Sequence, residues 1–146
     1  MLLLTCTVGG DQFAIDAMRV AEVLPVVSWR YVFGMSNGVV GLLNYHRAVV
    51  PLLDLSMLIL GTPSTVRMHT RIVMVHADLG VPGRHHVLLG LIAEGNVEML
   101  RCDPAAFVTP DDVLAAAPFL GPVLADTRGI IQWIEIDHLM DAREHD

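Results

Sequence analysis

Seven histidines, two cysteines and sixteen carboxylates are the side chains of this 146-residue chain best able to hold a metal or move a proton. Cys6 and Cys102 stand far apart, without the paired spacing of a zinc site. Set among apolar, strand-like residues, they read as free thiols drawn to the interior, and no secretory feature supports a disulfide. His85 and His86 are adjacent, so a strand would aim them at opposite faces and a loop would leave them solvated. His69 and His76 lack a carboxylate or thiolate in helical register. No metal and no cofactor are expected. Asp111-Asp112 follows Pro110 and precedes an Ala-rich stretch, which suits a helix N-terminus better than a catalytic carboxylate pair. A Gly-rich phosphate loop, G-x-S-x-G and H-E-x-x-H are all missing. The residues spell out no enzyme.

What remains is polar groups set inside apolar runs. In VVGLLNYHRAVVPLLDL, Val39 to Leu55, a tight cluster of Asn44, His46 and Arg47 divides two stretches suited to a core. Either it is a polar strand edge, or it is shown to a partner. An unpaired buried arginine costs several kcal/mol, so Arg47 must reach water or a carboxylate. Val20 and Glu22 are two apart and would share one strand face. An apolar residue beside an acid suits an interface with a buried centre and polar rim; alternatively Val20 is core and Glu22 merely solvated. Asp16 is placed to support a turn by bonding backbone.

The elements that would position these groups are mostly strands. Leu2 to Val8 alternates, with Leu2, Leu4, Cys6 and Val8 on one face and Thr5 and Thr7 on the other, which predicts a half-buried strand. Gly9-Gly10-Asp11 signals a hairpin into Gln12 to Ile15. Val20 to Val27 follows, then the aromatic segment Trp29 to Phe33, where Trp29 is either a contact hot spot or a cap on the core. Ser36-Asn37-Gly38 marks a turn. Two strands flank Asn44 to Arg47. Asp54 is placed to N-cap a short helix, Leu55 to Leu60, stopped by Gly61 and Pro63. Arg71 to Ala77, Val87 to Glu94 and Val97 to Cys102 read as strands, Asp112 to Ala116 as a helical turn. Val123 to Ala125 and Gly129 to Ile136 read as a last hairpin. Trp133 is expected between subdomains with Ile131 beside it, and Asp137 to cap a terminal turn near Met140. Short strands with turn signals every few residues point to an all-β barrel or sandwich.

Composition fits one domain over residues 1–146. Hydrophobic residues make up 53% of the chain, above the usual 45–50% or so. The longest apolar run, Ala48 to Leu60, is broken by Pro51, Asp54 and Ser56, too short for a membrane span. The N-terminus lacks the basic region of a signal peptide, so the chain is placed in the cytoplasm. The surplus apolarity belongs to a core, or to patches that bind proteins. A net charge of −7 without a basic run argues against nucleic acid and against an anionic membrane surface.

Four stretches then stand out together: FAIDAMRVAEVLP, VVGLLNYHRAVVPLLDL, LLGLIAEGNVEML and GIIQWIEIDHLM. In order and spacing they resemble the CheW family of chemotaxis coupling proteins, over about residues 2 to 140. Ile15, Asp16, Val20, Glu22 and Val23 fit the family's first motif, Gly41 to Leu55 its second, and Gly90 to Val97 a looser third. GLIAEGNVEMLRCDPAAF and RGIIQWIEI also resemble the accessory couplers of Wsp-type surface-sensing pathways.

The resemblance implies two small SH3-like β-barrel subdomains sharing a hydrophobic core, with one or two short helices. It implies a non-catalytic adaptor in receptor arrays. The partners would be the regulatory domain of a CheA-type histidine kinase and the cytoplasmic tip of a methyl-accepting chemoreceptor. Val20 and Glu22 match kinase-binding positions of the family. His46 stands where the family has a partner-facing Arg, and Arg47 where it has Gly. Arginine offers five donors in a fixed fork, histidine at most two. The partner-binding set is thus Val20, Glu22, Asn44, His46 and Arg47. The alternative is a small-molecule-binding β-barrel sensor, which would need a pocket of roughly 300 Å³ or more.

Overall fold

Strand follows strand because apolar residues recur at period two and turn residues separate the runs. The computed structural model describes residues 1–26, 29–31, 38–80, 82–83, 86–109, 117–127 and 129–141. Among them are β1 (Leu2–Val8), β2 (Asp11–Asp16), β3 (Val20–Pro25), β4 (Arg30–Tyr31), β5 (Val39–Tyr45) and β6 (Ala48–Asp54). After α1 (Leu55–Leu60) come β7 (Arg71–Ala77), β8 (Val87–Ala93), β9 (Gly95–Arg101), β10 (Leu120–Asp126) and β11 (Gly129–Ile134). The expected turn at Ser36-Asn37, the helical turn at Asp112 to Ala116, the Asp111-Asp112 pair and His85 lie outside the described residues.

The strands form two sheets, ordered β10-β11-β2-β1-β9 and β3-β7-β8-β6-β5-β4. The chain starts in the first sheet, crosses to the second for β3 to β8, and returns for β9 to β11. Each sheet contains one parallel pair, β11 on β2 and β6 on β8, and is otherwise antiparallel. One apolar cluster joins the sheets: Leu4, Cys6 and Phe13 from the first meet Leu53, Val73 and Leu91 from the second. Two smaller clusters fill the individual barrels. Leu43, Val50, Leu52, Ile72, Met74 and Ile92 fill the second; Leu3, Ala14 and Ile131, with Trp133 and Phe107 packed on them, fill the first. This is the all-β, two-barrel, shared-core architecture expected from the sequence.

Four local expectations are corrected. β1 is buried on both faces, not one, since Leu3 faces the first barrel's interior while Leu4, Cys6 and Val8 face the shared core. Thr5 is buried too and donates to the Glu98 carbonyl at 3.5 Å. Trp133 is not between the barrels. It is half-buried inside the first, edge-on to Phe107 with ring centres 5.5 Å apart. Asp137 caps no turn; it holds Arg19. The fourth, at Val20 and Glu22, belongs to the site below. The caps of α1 form as read: the Asp54 carboxylate accepts from Ser56 N at 3.0 Å, and Gly61 closes the helix at φ +79°, a left-handed angle that glycine adopts without strain.

Candidate functional site

The turn between β5 and β6 contains only His46 and Arg47, because Tyr45 pairs with Ala48. Both have positive φ, 48° and 69°. Two left-handed residues in a two-residue loop make a type I′ hairpin, whose twist matches the flanking strands and whose favoured sequence is Asn-Gly. A side chain at such an angle costs roughly 1–2 kcal/mol, so the tip holds two strained non-glycine residues. Asn44 is not in the turn but on the outward face of β5, exposed beside its partner Val49, which is 71% exposed.

β3 reaches this tip from the far side of the sheet. Its ladder with β7 breaks at Ala21: Val20 pairs with Val75, but Glu22 pairs with Met74. Such a bulge puts two residues against one. Cross-strand partners point the same way, so Val20 follows Val75 toward the shared core and Glu22 follows Met74 toward the mouth of the second barrel. The shared face expected for Val20 and Glu22 is therefore not formed. Val20 is half-buried on the core, and Glu22 is exposed.

Glu22 does meet the hairpin. The Tyr45 hydroxyl donates to Glu22 Oε1 at 2.6 Å, and His46 Nε2 lies 3.7 Å from the same oxygen. The Tyr45 and His46 rings stand edge-on with centres 4.3 Å apart. The hydrogen bond to Glu22 pushes the Tyr45 phenol above its ordinary range. Arg47 points to solvent and makes no hydrogen bond or ion pair among the described residues. Of the five expected site residues, the structure thus gathers Glu22 and His46 with Arg47 at the apex. It sets Asn44 on the outer face of the hairpin and Val20 against the core. Tyr45 was missed by sequence reasoning. Its signal was its register: it alternates with Leu43 and so points to the barrel side, at the strand end where its hydroxyl escapes burial.

Arg19, just before β3, was also missed. Its guanidinium donates two bonds to the Asp137 carboxylate, both 2.7 Å, and a third to the His76 carbonyl at 3.0 Å. Asp137 also accepts from Asp78 N at 2.7 Å. The arginine beside it holds the Asp137 carboxyl below its usual range. This clamp fixes the entry of β3 to the turn that follows β11, joining the two barrels. Asp16 accepts from Met18 N at 3.0 Å, the backbone-supporting role expected of it.

Burial pushes the Cys6 thiol up to about 12, far from thiolate reactivity. Among the described residues no three His, Cys, Asp or Glu side chains are arranged to hold a metal ion, and no helix is long and apolar enough to cross a membrane.

Comparisons with known proteins agree with this architecture. A search of curated protein sequences finds no relative. Among solved structures, the scaffolding protein TtCheW from Thermoanaerobacter tengcongensis superposes with a TM-score of 0.83, covering 99% of this chain and 90% of that one at 18% identity. It shares the fold of two SH3-like barrels. Residues 2–144 match the family described as CheW-like domain, and the chain belongs to that family.

Proposed function

We propose that this chain is a non-catalytic coupling scaffold of a chemosensory array. It acts as one domain over residues 1–146, in the cytoplasm, held to the membrane only through protein contacts. Its hairpin rim docks the regulatory domain of a CheA-type histidine kinase, and a further face takes the cytoplasmic tip of a chemoreceptor. Family membership supports the coupling role, as does the word scaffolding in the description of TtCheW. One observation carries the site assignment: Glu22 from β3 and Tyr45-His46 from the hairpin converge on one exposed rim, with Arg47 at its apex and unpaired among the described residues. Val49, paired with Asn44 on the outer face of the same hairpin, adds exposed apolar area next to the tip, the mixture of apolar area and polar rim that interfaces use. The alternative, a small-molecule sensor using a cleft between the subdomains, is less favoured, because apolar side chains fill each barrel and the core they share.

The test is binding of a Glu22→Lys variant to the cognate kinase's regulatory fragment. A like charge set at such an interface costs several kcal/mol, so the affinity should fall at least about tenfold with the fold intact. A folded variant that binds as tightly as the parent removes the rim from the docking surface.

A further inference from the structure

β3 holds one residue more than the ladder beside it can pair. Glu22, Val23, Leu24 and Pro25 face Met74, Val73, Ile72 and Arg71 in unbroken register, and Val20 faces Val75, so Ala21 is left over. A β3 without the bulge has two possible registers. Carrying the register of Val20 forward would set Glu22 on Val73, a residue of the shared core, and would bury an unpaired carboxylate at prohibitive cost. Carrying the register of Glu22 backward would set Ala21 on Val75 and Val20 on His76. That second register keeps all four pairs from Glu22 to Pro25, gains one pair, and moves only the residues before Glu22.

Packing and one ion pair oppose it. In the bulged form Val20 packs on the shared core. In the regular form Ala21 would take that place, and Val20 would stand beside Glu22 on the exposed side of β3, because residues two apart share a face. Half-buried valine traded for alanine is a modest loss of apolar burial. The chain before Glu22 would also have to advance by one residue along β7, and Arg19 stands in the way. Its guanidinium is fixed to Asp137 by two bonds of 2.7 Å and to the carbonyl of His76, the residue that Val20 would have to face, at 3.0 Å. Asp137 is itself pinned by Asp78 N, just beyond β7, at 2.7 Å. The turn Ala17–Arg19 has no buried residue, so apolar packing does not fix it.

We infer that the Arg19–Asp137 clamp is a register lock on the rim strand. Locked, β3 keeps its bulge, turns Val20 to the core and shows Glu22 without it. Unlocked, β3 runs regular and sets Val20 beside Glu22, adding an apolar contact to the acid at the mouth of the second barrel. Arg19 and Asp137 are thus positioning residues that act through β3 and decide which side chains it offers a partner. A residue of the first barrel's exit thereby governs the face shown by the second barrel. The consequence for docking rests on the rim being the kinase-binding surface; the lock itself does not.

The register is read by NMR on the full chain, from the cross-strand contacts that tell residue 20 opposite Val75 from residue 21 opposite Val75. The parent should show Val20 there. Exchanging the two residues, Val20→Ala with Ala21→Val, sets packing against the clamp, since valine then reaches the core only in the regular register. Adding Arg19→Gln to the exchange should raise the regular form about fivefold, the worth of a well-formed but solvent-reached ion pair. Arg19→Lys, which keeps the charge, should raise it less. The contact of Glu22 with Met74 should persist in every variant, which shows the sheet intact. A bulge retained in all of them, or a regular form that gains nothing from Arg19→Gln, would overturn the lock. Binding of the kinase's regulatory fragment by the same variants tests the docking reading separately: a changed register with unchanged affinity would uphold the lock and remove the rim from the docking surface.

Discussion

Tyr45 Oη donates to Glu22 Oε1 at 2.6 Å, although three strands separate β5 from β3 in the sheet. The sheet curls enough for a side chain near one edge to meet one at the other, so this bond spans the mouth of the second barrel. The hairpin tip and the acid on β3 are thereby one structural unit, and a partner that grips either one feels both.

This bond gives a titration prediction. The phenol donates to a carboxylate, so losing its proton removes the bond and places two negative charges together; its pKa is raised for that reason. The bond therefore adds stability at every pH below the ordinary tyrosine range. That contribution is lost as the pH rises through the raised value. In a Tyr31→Phe background only Tyr45 remains to titrate, the chain having two tyrosines. Its absorbance change should come later than that of free tyrosine, and Glu22→Ala should bring it earlier. A titration that Glu22→Ala leaves in place would mean that the bond does not form in solution.

Strain at the hairpin gives a stability prediction. Arg47 sits at φ 69° in the second turn position, where glycine carries no Cβ penalty. Arg47→Gly should stabilise the fold by about 1 kcal/mol, the left-handed cost less the extra unfolded-state entropy of glycine. Arg47→Ala should stay within about 0.5 kcal/mol of the parent, since it keeps the Cβ. Urea unfolding decides between them. A destabilised glycine variant would show that Arg47 makes a compensating contact.

The elements that sequence reasoning placed well are those with local causes. Asp54 and Gly61 bracket α1 by short-range capping, and the period-two runs mark most strands within a residue or two, although β10 begins at Leu120, three residues before the expected Val123. The site was legible as a list of residues but not as a shape. No pattern marks the bulge at Ala21, and one extra residue there turns Val20 and Glu22 to opposite faces. The I′ turn lacks the Asn-Gly signature, so its left-handed angles could not be read from His46-Arg47. Tyr45–Glu22 and Arg19–Asp137 join positions far apart in the chain, and only the topology brings them together.

The Arg19–Asp137 clamp should contribute acid sensitivity. Asp137 has its pKa lowered, first by the hydrogen bonds from Arg19. A lowered carboxyl adds stability above its unfolded value and loses it as the pH falls through the folded one. Solvent reaches about a third of each side chain, so screening limits the pair to about 1 kcal/mol. Asp137→Asn should cost that much near neutral pH and nothing once the pH lies below the lowered value of the folded state. Unfolding of parent and variant at both pH values tests it. A deficit that persists undiminished in acid would point to lost packing instead of lost charge.

Trp133 should matter to the first barrel alone. It is half-buried against Phe107 and Ile131, so Trp133→Ala should cost about 2–3 kcal/mol, less than the 3–5 or so of a fully buried tryptophan. Phe107→Ala in the Trp133→Ala background should then cost less than in the parent, because the edge-on contact is already gone. Strictly additive losses would show that the two rings stabilise the barrel independently.

Partner choice is the last consequence of the hairpin. An arginine at position 46 would stand where the His46 ring lies 3.7 Å from Glu22, and its five donors would serve that carboxylate and a partner's acid together. The parent instead leaves Glu22 to Tyr45 and His46 and presents its only tip arginine, Arg47, to the outside. Replacing His46→Arg with Arg47→Gly keeps the formal Arg count while moving the cation inward by one residue. Under the proposed docking of a kinase regulatory fragment at this rim, the variant should bind the cognate fragment more weakly, because the partner loses the apex guanidinium. It should bind a regulatory domain taken from a generic chemotaxis pathway more tightly, because the family pair is restored; specificity is the difference between the two affinities. Both changes should shrink as salt is raised, since rim charges are screened. Unchanged affinities for both fragments would leave His46 and Arg47 as a polar strand edge with no part in recognition.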